Sequence, residues 1–137
     1  MFQSSWRGKF PDRRGVNIFV VNPFKCSVLE ARQFDTWGNA NAASHLSSYL
    51  QRLKHGSIIV GVSADEPTKR LAHALPTLKK VGANVANVTY RGAFAFLAQK
   101  GFPAKTLLRK VLTWQQGLTR QPHISATVRG TFVEMCR

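Results

Sequence analysis

Asp65 and Glu66 directly follow an apolar run at residues 57–62, and this is the first point in the chain where residue types and spacing could support chemistry. A buried strand that leads into a helix N-terminus is the arrangement with which nucleotide-binding folds hold a phosphate. The chain contains no Gly-x-Gly-x-x-Gly and no Gly-x-x-x-x-Gly-Lys-Ser/Thr motif, and two carboxylates at that position would repel a phosphate. We therefore interpret Asp65 as the N-cap of a helix, with Glu66 and Pro67 in its first turn.

Patterns for catalysis or metal binding are missing from the sequence. Serine, histidine and aspartate all occur, but no Gly-x-Ser-x-Gly motif presents a serine as a nucleophile. The 4 histidines have no ligand spacing with one another or with cysteine. Asp35 lies in a turn-like Phe-Asp-Thr-Trp segment, where we expect it to bind local backbone groups. We predict that the protein is not an enzyme and has no catalytic residues, metal or cofactor.

The charge of the chain is strongly positive and uneven. In 137 residues, 20 Lys and Arg face 6 Asp and Glu, which gives a net charge of +14. Charged residues make up 19%, against about 25% in ordinary domains, so the imbalance arises chiefly from missing acid. Residues 69–137 carry 12 basic and 1 acidic side chain. A polyanion partner is therefore compatible with the charge, and a basic intracellular nucleic-acid-binding protein stays open as an alternative.

Signals for membranes, redox state and modification are few. No apolar run approaches the roughly 20 residues of a membrane span, and the start of the chain lacks the apolar stretch of a secretory signal. Cys26 and Cys136 either pair in a disulfide or remain free thiols, and the sequence leaves both open. Asn87 begins the only Asn-x-Ser/Thr sequon and is a glycosylation candidate.

The elements that would position these residues mix strands with helices. Strands are predicted at residues 16–21, 28–34, 57–62, 85–90, 94–98 and 123–128, the first two as an antiparallel hairpin. One helix is predicted from a cap at Asn39 or Asn41 to a stop before Gly56, and another from Asp65 to Gly82, split by Pro76 into two short pieces. A last helix would open at Pro103 and bear Leu107, Leu108, Val111 and Leu112. This order indicates an α+β or mixed α/β class.

A set of short motifs in a fixed order carries a resemblance to a known family. They lie at residues 15–23, 32–38, 50–53, 55–62, 65–71, 81–83, 90–96 and 99–101. In this order they resemble the interleukin-like EMT inducer (ILEI) domain. That domain occurs in PANDER-type secreted cytokine-like proteins, in the stem of protein O-mannose N-acetylglucosaminyltransferase, and in hyaluronan-related cell-surface proteins of the cell-migration-inducing type.

The resemblance implies a fold and its limits. We expect a single compact ILEI-like α+β domain of mostly antiparallel β-sheets flanked by short helices. It would span residues 15–130, with a basic flexible arm at residues 1–14 and a tail at residues 131–137. The family is extracellular, so the resemblance implies the secretory pathway, although this chain shows no signal peptide.

The resemblance also implies a function. It predicts a non-enzymatic extracellular module that binds a carbohydrate, such as an anionic or amino-sugar glycan. The alternative is a secreted cytokine-like protein that acts through a cell-surface receptor. By position, the sugar-binding acid and arginine of the stem-domain members match Asp65 and Arg91, and Phe94, the third ligand-binding candidate, stands where the motif has a tryptophan. The chain departs from the family at Gly92, where the motif has an aspartate, and at its cysteines, which are two where the cytokine-like branch has four.

Overall fold

The computed structural model describes residues 14–113 of the chain, which contain five β-strands and two short α-helices joined by loops. The elements in chain order are β1 (Gly15–Val21), β2 (Val28–Phe34), α1 (Ala42–Arg52), β3 (Ile58–Ala64), a 3-10 turn (Ala72–Ala74), α2 (Leu75–Lys80), β4 (Ala93–Gln99) and β5 (Lys105–Leu112). This is the α+β class that the sequence predicted. The strand expected at residues 123–128 and the boundary near residue 130 lie outside the described residues.

The strands form one sheet in the order β2-β1-β3-β4-β5, and every neighbouring pair is antiparallel. Gly15 at the start of β1 pairs with Ala64 at the end of β3, and Val16 pairs with Phe34 at the end of β2. Ala93, the first residue of β4, pairs with Leu112 at the end of β5. The loops that follow β2 and β3 and the one that precedes β4 therefore meet at one end of the sheet.

Apolar side chains are buried on both faces of the sheet, because the central strands are almost continuously apolar. On one face, α1 packs Leu46 and Leu50 into a core that includes Ile18 and Phe96. A second cluster lies on the other face and is built from Val21, Ile58, Val60, Ala95, Leu97 and Leu112. The first cluster includes residues of both helices, so its strand residues lie on the face of the sheet that packs against α1 and α2. The second cluster lies on the opposite face.

The hairpin, the central strands and the first helix were predicted correctly. β1 and β2 pair in antiparallel fashion, and the side chain of Asn22 closes the turn between them by accepting the backbone N–H groups of Phe24 and Lys25. Before α1, the Asn39 side chain accepts the N–H of Asn41 at 2.8 Å. At the other end of α1, Lys100 Nζ donates to three backbone carbonyls, at 2.7–2.8 Å, of Leu50, Gln51 and Leu53.

The helix predicted to start at Asp65 was wrong in its position. Residues 65–71 form a loop, and helical structure begins only at the 3-10 turn and α2. Two short helical pieces are present, as expected, but Pro76 lies in the first turn of α2, where a missing N–H costs no hydrogen bond. The acid that accepts backbone N–H groups two and three residues ahead is Glu66 rather than Asp65.

The strand predicted at residues 85–90 was also wrong. The N–H of Val88 donates to the carbonyl of Val85 at 3.0 Å, which closes a turn. Both valines pack against the core at a spacing of three residues. A flat strand would place them on opposite faces, so burying both requires the turn.

The helix predicted to open at Pro103 is instead the strand β5, and Pro103 lies in the connection from β4. Leu97 pairs with Leu108 but the next residue of β4, Ala98, pairs with Thr106, so Leu107 is an extra residue in the β5 strand. This bulge allows Leu107 and Leu108 to pack against the same cluster. Two adjacent apolar residues, followed by two more at positions 111 and 112, also fit one face of a helix. This spacing explains why the segment was predicted to be a helix.

Candidate functional site

Two of the predicted ligand-binding residues, Asp65 and Arg91, lie at the same end of the sheet, where β3 stops and β4 begins. Both side chains are exposed, and Tyr90 beside them is 63% exposed. The loop that follows Asp65 adds the exposed Lys69, and the loop after β2 adds the half-buried Trp37. We call these five residues the sheet-end site.

The buried side chain of Glu66 holds the two predicted residues together. Its Oε1 accepts the backbone N–H of Arg91 at 2.9 Å and the hydroxyl of Thr68 at 2.6 Å. Its Oε2 accepts the backbone N–H groups of Thr68 and Lys69 at 3.0 and 2.8 Å. Glu66 is only 2% exposed, so one buried carboxylate fixes the loop after β3 to the loop before β4.

The pKa of Glu66 follows from this environment. Burial alone would raise it, but the hydrogen bonds from Thr68, Arg91 and Lys69 favour the charged form more strongly, and the pKa is lowered. Glu66 therefore remains an acceptor-only carboxylate at neutral pH. We call these four hydrogen bonds the Glu66 clamp. They do not require a proton on the Glu66 carboxylate.

Asp65 and Arg91 both have a left-handed backbone conformation. Their φ angles are 57° and 59°, in a region that residues other than glycine seldom occupy. Aspartate tolerates this region better than most residues, whereas arginine has no such advantage. Such conformations cost free energy and are concentrated at functional sites in proteins. Cys26, at a φ of 54°, shares this conformation, so the conformation is not confined to the two residues that the resemblance selected.

The ring of Trp37 contacts two cations. The guanidinium carbon of Arg14 is 4.4 Å from the centre of the Trp37 ring, and Lys69 Nζ is 4.8 Å from it. The loop that carries Trp37 is joined to the loop after β3 because Arg70 donates from its backbone and side chain to the carbonyls of Thr36 and Trp37. The ring of Trp37 stabilises both charges through cation–π contacts.

Asp35 anchors this arrangement, as the sequence predicted from its turn. Its carboxylate accepts two hydrogen bonds from Arg14 at 2.8 and 3.0 Å, and further ones from the backbone of Trp37 and Gly38. The Arg14 contact first, and the backbone donors after it, lower the pKa of Asp35 to about 2 against the opposing effect of burial. Asp35 is therefore ionised and fully engaged, and its role is to hold Arg14 over Trp37.

The third predicted ligand-binding residue, Phe94, does not reach the surface. It is 1% exposed, its ring stacks on Phe96 with centroids 6.3 Å apart, and its N–H donates to the buried Ser63 hydroxyl. Phe94 therefore belongs to the core, because the inward face of β4 at this position is covered by the helices. The exposed aromatic beside Arg91 is Tyr90, whose ring lies 5.6 Å from the Arg91 guanidinium carbon.

Sequence reasoning missed Tyr90 because it placed residues 85–90 in a strand. Its position directly before Arg91, in a Thr-Tyr-Arg-Gly segment typical of a turn, was the available signal. It also missed the clamp by Glu66. No feature of the sequence shows that Glu66 and Arg91 are neighbours.

The remaining candidates lie elsewhere. Asn87 is exposed on the turn between Val85 and Val88. Cys26 is disulfide-bonded; its pairing with Cys136 stays a prediction, because Cys136 lies outside the described residues. Within residues 14–113, no cluster of three or more His, Cys, Asp or Glu is placed to hold a metal ion. The same residues include no helix long and apolar enough to cross a bilayer.

Fold and site together define a class: a small α+β domain that presents charged and aromatic side chains at one end of an antiparallel sheet. The family model described as "Interleukin-like EMT inducer" matches residues 14–102, which is more than half of the chain. The chain belongs to this family. The assignment confirms the resemblance and gives no support to the nucleic-acid alternative.

Individual relatives agree with this assignment. Protein FAM3A of mouse is 30% identical over 95 residues, which are 68% of this chain and 40% of the relative. Human protein FAM3C is 27% identical over 95 residues, 68% of this chain and 41% of that protein. The human cell migration-inducing and hyaluronan-binding protein is 27% identical over 108 residues, 77% of this chain but 8% of that protein. The chain thus spans about two fifths of the FAM3 proteins it matches.

Proposed function

We propose that this chain is a non-enzymatic binding module of an extracellular protein and that the sheet-end site binds a glycan. The observation that carries the proposal is the joint placement of Asp65 and Arg91, through Glu66, beside the exposed ring of Tyr90. A carboxylate accepts hydrogen bonds from sugar hydroxyls and a guanidinium donates them. An aromatic face covers the apolar side of a pyranose ring.

The charge around the site favours an anionic or amino-sugar glycan. Lys69 and Arg70 are exposed on the loop after Asp65, and Arg14 lies within electrostatic reach of Asp65. The human relative whose name describes hyaluronan binding supports the same ligand class, since hyaluronan is itself an anionic glycan. Asp65 would then select a hydroxyl or amide group, while the cations attract the acidic groups.

A glycan array probed with the purified protein at low and physiological salt tests the proposal. Arg91→Gln removes the guanidinium charge, and Asp65→Asn removes the carboxylate but keeps a residue that tolerates the left-handed conformation. Each should weaken binding to the array hits by about tenfold or more. Lys79→Gln in α2 removes one exposed charge away from the site and should leave binding nearly unchanged.

Two results would contradict the proposal. One is a wild-type protein that binds no glycan even at low salt. The other is an Arg91→Gln variant that binds as tightly as the wild type, because the site would then not include its central donor.

The family description favours a second candidate, a cytokine-like signal that acts through a cell-surface receptor. The same exposed surface would then contact a protein. Binding to cells that survives complete enzymatic removal of surface glycans, and that Arg91→Gln abolishes, would select this candidate over the first.

A further inference from the structure

A groove of about 470 Å³ lies between β2 and α1, and neither Asp65 nor Arg91 lines it. Its size falls within the range of about 300–1,000 Å³ that is typical of small-ligand sites. The floor is apolar and is formed by Phe34, Ala42 and Tyr49. The rings of Phe34 and Tyr49 are 5.7 Å apart.

One wall of the groove is a polar stripe of α1. His45, Ser48, Tyr49 and Arg52 are spaced as i, i+3, i+4 and i+7 and therefore share one face of the helix. His45, Ser48 and Arg52 are exposed, whereas Tyr49 between them is buried. The helix thus presents hydrogen-bonding groups above an aromatic floor.

The charged side chains on the opposite wall and at the end of the groove already form ion pairs within the protein. Arg32, on β2, lies over the Tyr49 ring at 5.5 Å and contacts Glu30 at 3.4 Å. Asp35 at the end of the groove is bound to Arg14. The two acids that approach the groove are therefore each offset by an arginine.

Arg52 differs from Arg14 and Arg32 in its lack of an acidic partner within the described residues. It makes no ion pair or side-chain hydrogen bond with any part of the described chain, although it lies in the last turn of α1 at the mouth of the groove. Burial and the neighbouring Glu30 charge raise the pKa of Tyr49 to about 12, so its phenol stays neutral. Among residues 14–113, the Arg52 guanidinium thus has no compensating partner and lies beside a groove with an aromatic floor.

We infer that this groove is a second binding site, for a sugar ring that carries a carboxylate or sulfate. Arg52 binds the acidic group, with Arg32 contributing from the opposite wall, because guanidinium groups bind planar anions through two hydrogen bonds. His45 and Ser48 bind ring hydroxyls, and the half-buried Phe34 contacts the apolar face, with the buried ring of Tyr49 packed beside it. The inference does not depend on ligand binding by Asp65 and Arg91.

The test is a titration of the ¹⁵N-labelled full chain, followed by NMR, with a tetrasaccharide that contains glucuronic acid. The control ligand is the same tetrasaccharide with its carboxylates reduced to alcohols, and a sulfated, carboxyl-reduced form tests the other acidic group. We expect the amide signals of residues 32–35 and 45–52 to shift. At least one acidic form should bind about tenfold or more tighter than the neutral form.

Two variants separate the groove from general charge attraction. Arg52→Gln should weaken binding of the acidic tetrasaccharide in the groove by about tenfold. Lys54→Gln removes the same charge from an exposed residue two positions away that does not line the groove, and should have little effect. Arg91→Gln should leave the shifts of residues 45–52 unchanged.

Three outcomes would overturn the inference: equal affinity for the acidic and neutral forms, equal losses for Arg52→Gln and Lys54→Gln, or shifts confined to the sheet-end site. Failure of the sheet-end proposal gives a different pattern. In that case Arg91→Gln has no effect on any glycan, while Arg52→Gln still weakens binding.

Discussion

The backbone N–H of Arg91 donates a hydrogen bond of 2.9 Å to Oε1 of Glu66, a residue 25 positions earlier in the chain. This bond joins the loop that leaves β3 to the residue that leads into β4. It brings Asp65 beside Arg91 without a direct contact between the two side chains. The functional candidates thus depend on a buried acid that does not itself face the solvent.

The clamp can be tested by Glu66→Gln. The substitution places an NH₂ group among four donors, so at least one buried hydrogen bond is lost and donors face each other. We expect the free energy of unfolding to fall by about 1–3 kcal/mol, measured by urea denaturation. Asp65→Asn changes the neighbouring acid in an exposed position and should stay within about 0.5 kcal/mol. Equal effects of the two substitutions would contradict the role of Glu66.

Lys100 should be a major contributor to the stability of α1. Its ammonium group donates to three carbonyls at the C-terminal end of α1, where the carbonyl of Leu50 otherwise accepts only a long bond of 3.4 Å from the N–H of Leu53. Its charge also lies at the negative end of the helix dipole. Lys100→Met keeps most of the aliphatic chain, and should cost about 1.5–3 kcal/mol in urea denaturation. Lys54→Met is the matched control at an exposed site. A Lys100→Met variant as stable as the control would show that water replaces the ammonium group at no cost.

Asp35 predicts a defined pH dependence. Its pKa of about 2 in the folded protein is below the roughly 3.9 of an unfolded chain. A lowered folded pKa means that its contribution to stability is complete above about pH 4 and is lost as the pH falls toward 2. The wild type should therefore exceed Asp35→Asn in stability by the most near neutral pH, and the difference should shrink below about pH 4. Urea denaturation of both proteins at several pH values measures this, and a pH-independent difference would contradict it.

Asn87 should carry an N-linked glycan when the chain passes through the secretory pathway. The residue is exposed on a turn, which gives an oligosaccharide transferase access to the sequon. Expression behind a secretory leader should give a protein whose mass falls on treatment with a peptide N-glycosidase. Asn87→Gln and Thr89→Ala should both abolish the shift, and Thr89→Ser should retain it. A secreted wild-type protein without the glycan would contradict the prediction.

The strands predicted from the sequence were those whose local pattern agrees with their final environment. Residues 16–21 are rich in β-branched side chains and form an interior strand of the sheet that is mostly buried, so composition alone identified them. β5 was taken for a helix because the bulge at Leu107 breaks the alternation of a strand. A bulge is fixed by pairing with β4, and that partner cannot be read from the β5 segment itself.

The candidate site was predictable only in part. The resemblance selected Asp65 and Arg91, which are both exposed at one end of the sheet, and their ligand-binding role stays a prediction. It also selected Phe94, but which face of β4 this residue occupies depends on the pairing of the whole sheet. Glu66 was assigned to a helix start because its hydrogen bond to Arg91 spans 25 residues, and a local pattern carries no signal for such a contact.

The positions of Lys100 and Arg91 have a consequence for how this domain can diversify. They flank β4 at its two ends, and the seven residues of the strand separate them by about 20 Å. The contacts of Lys100 with α1 therefore lie far from the loops that present Asp65, Tyr90 and Arg91. Substitutions in those loops need not weaken the attachment of α1 at the other end of the strand. The loop tips can thus vary in sequence without a new fold, and any difference in ligand between proteins of this fold should be sought there.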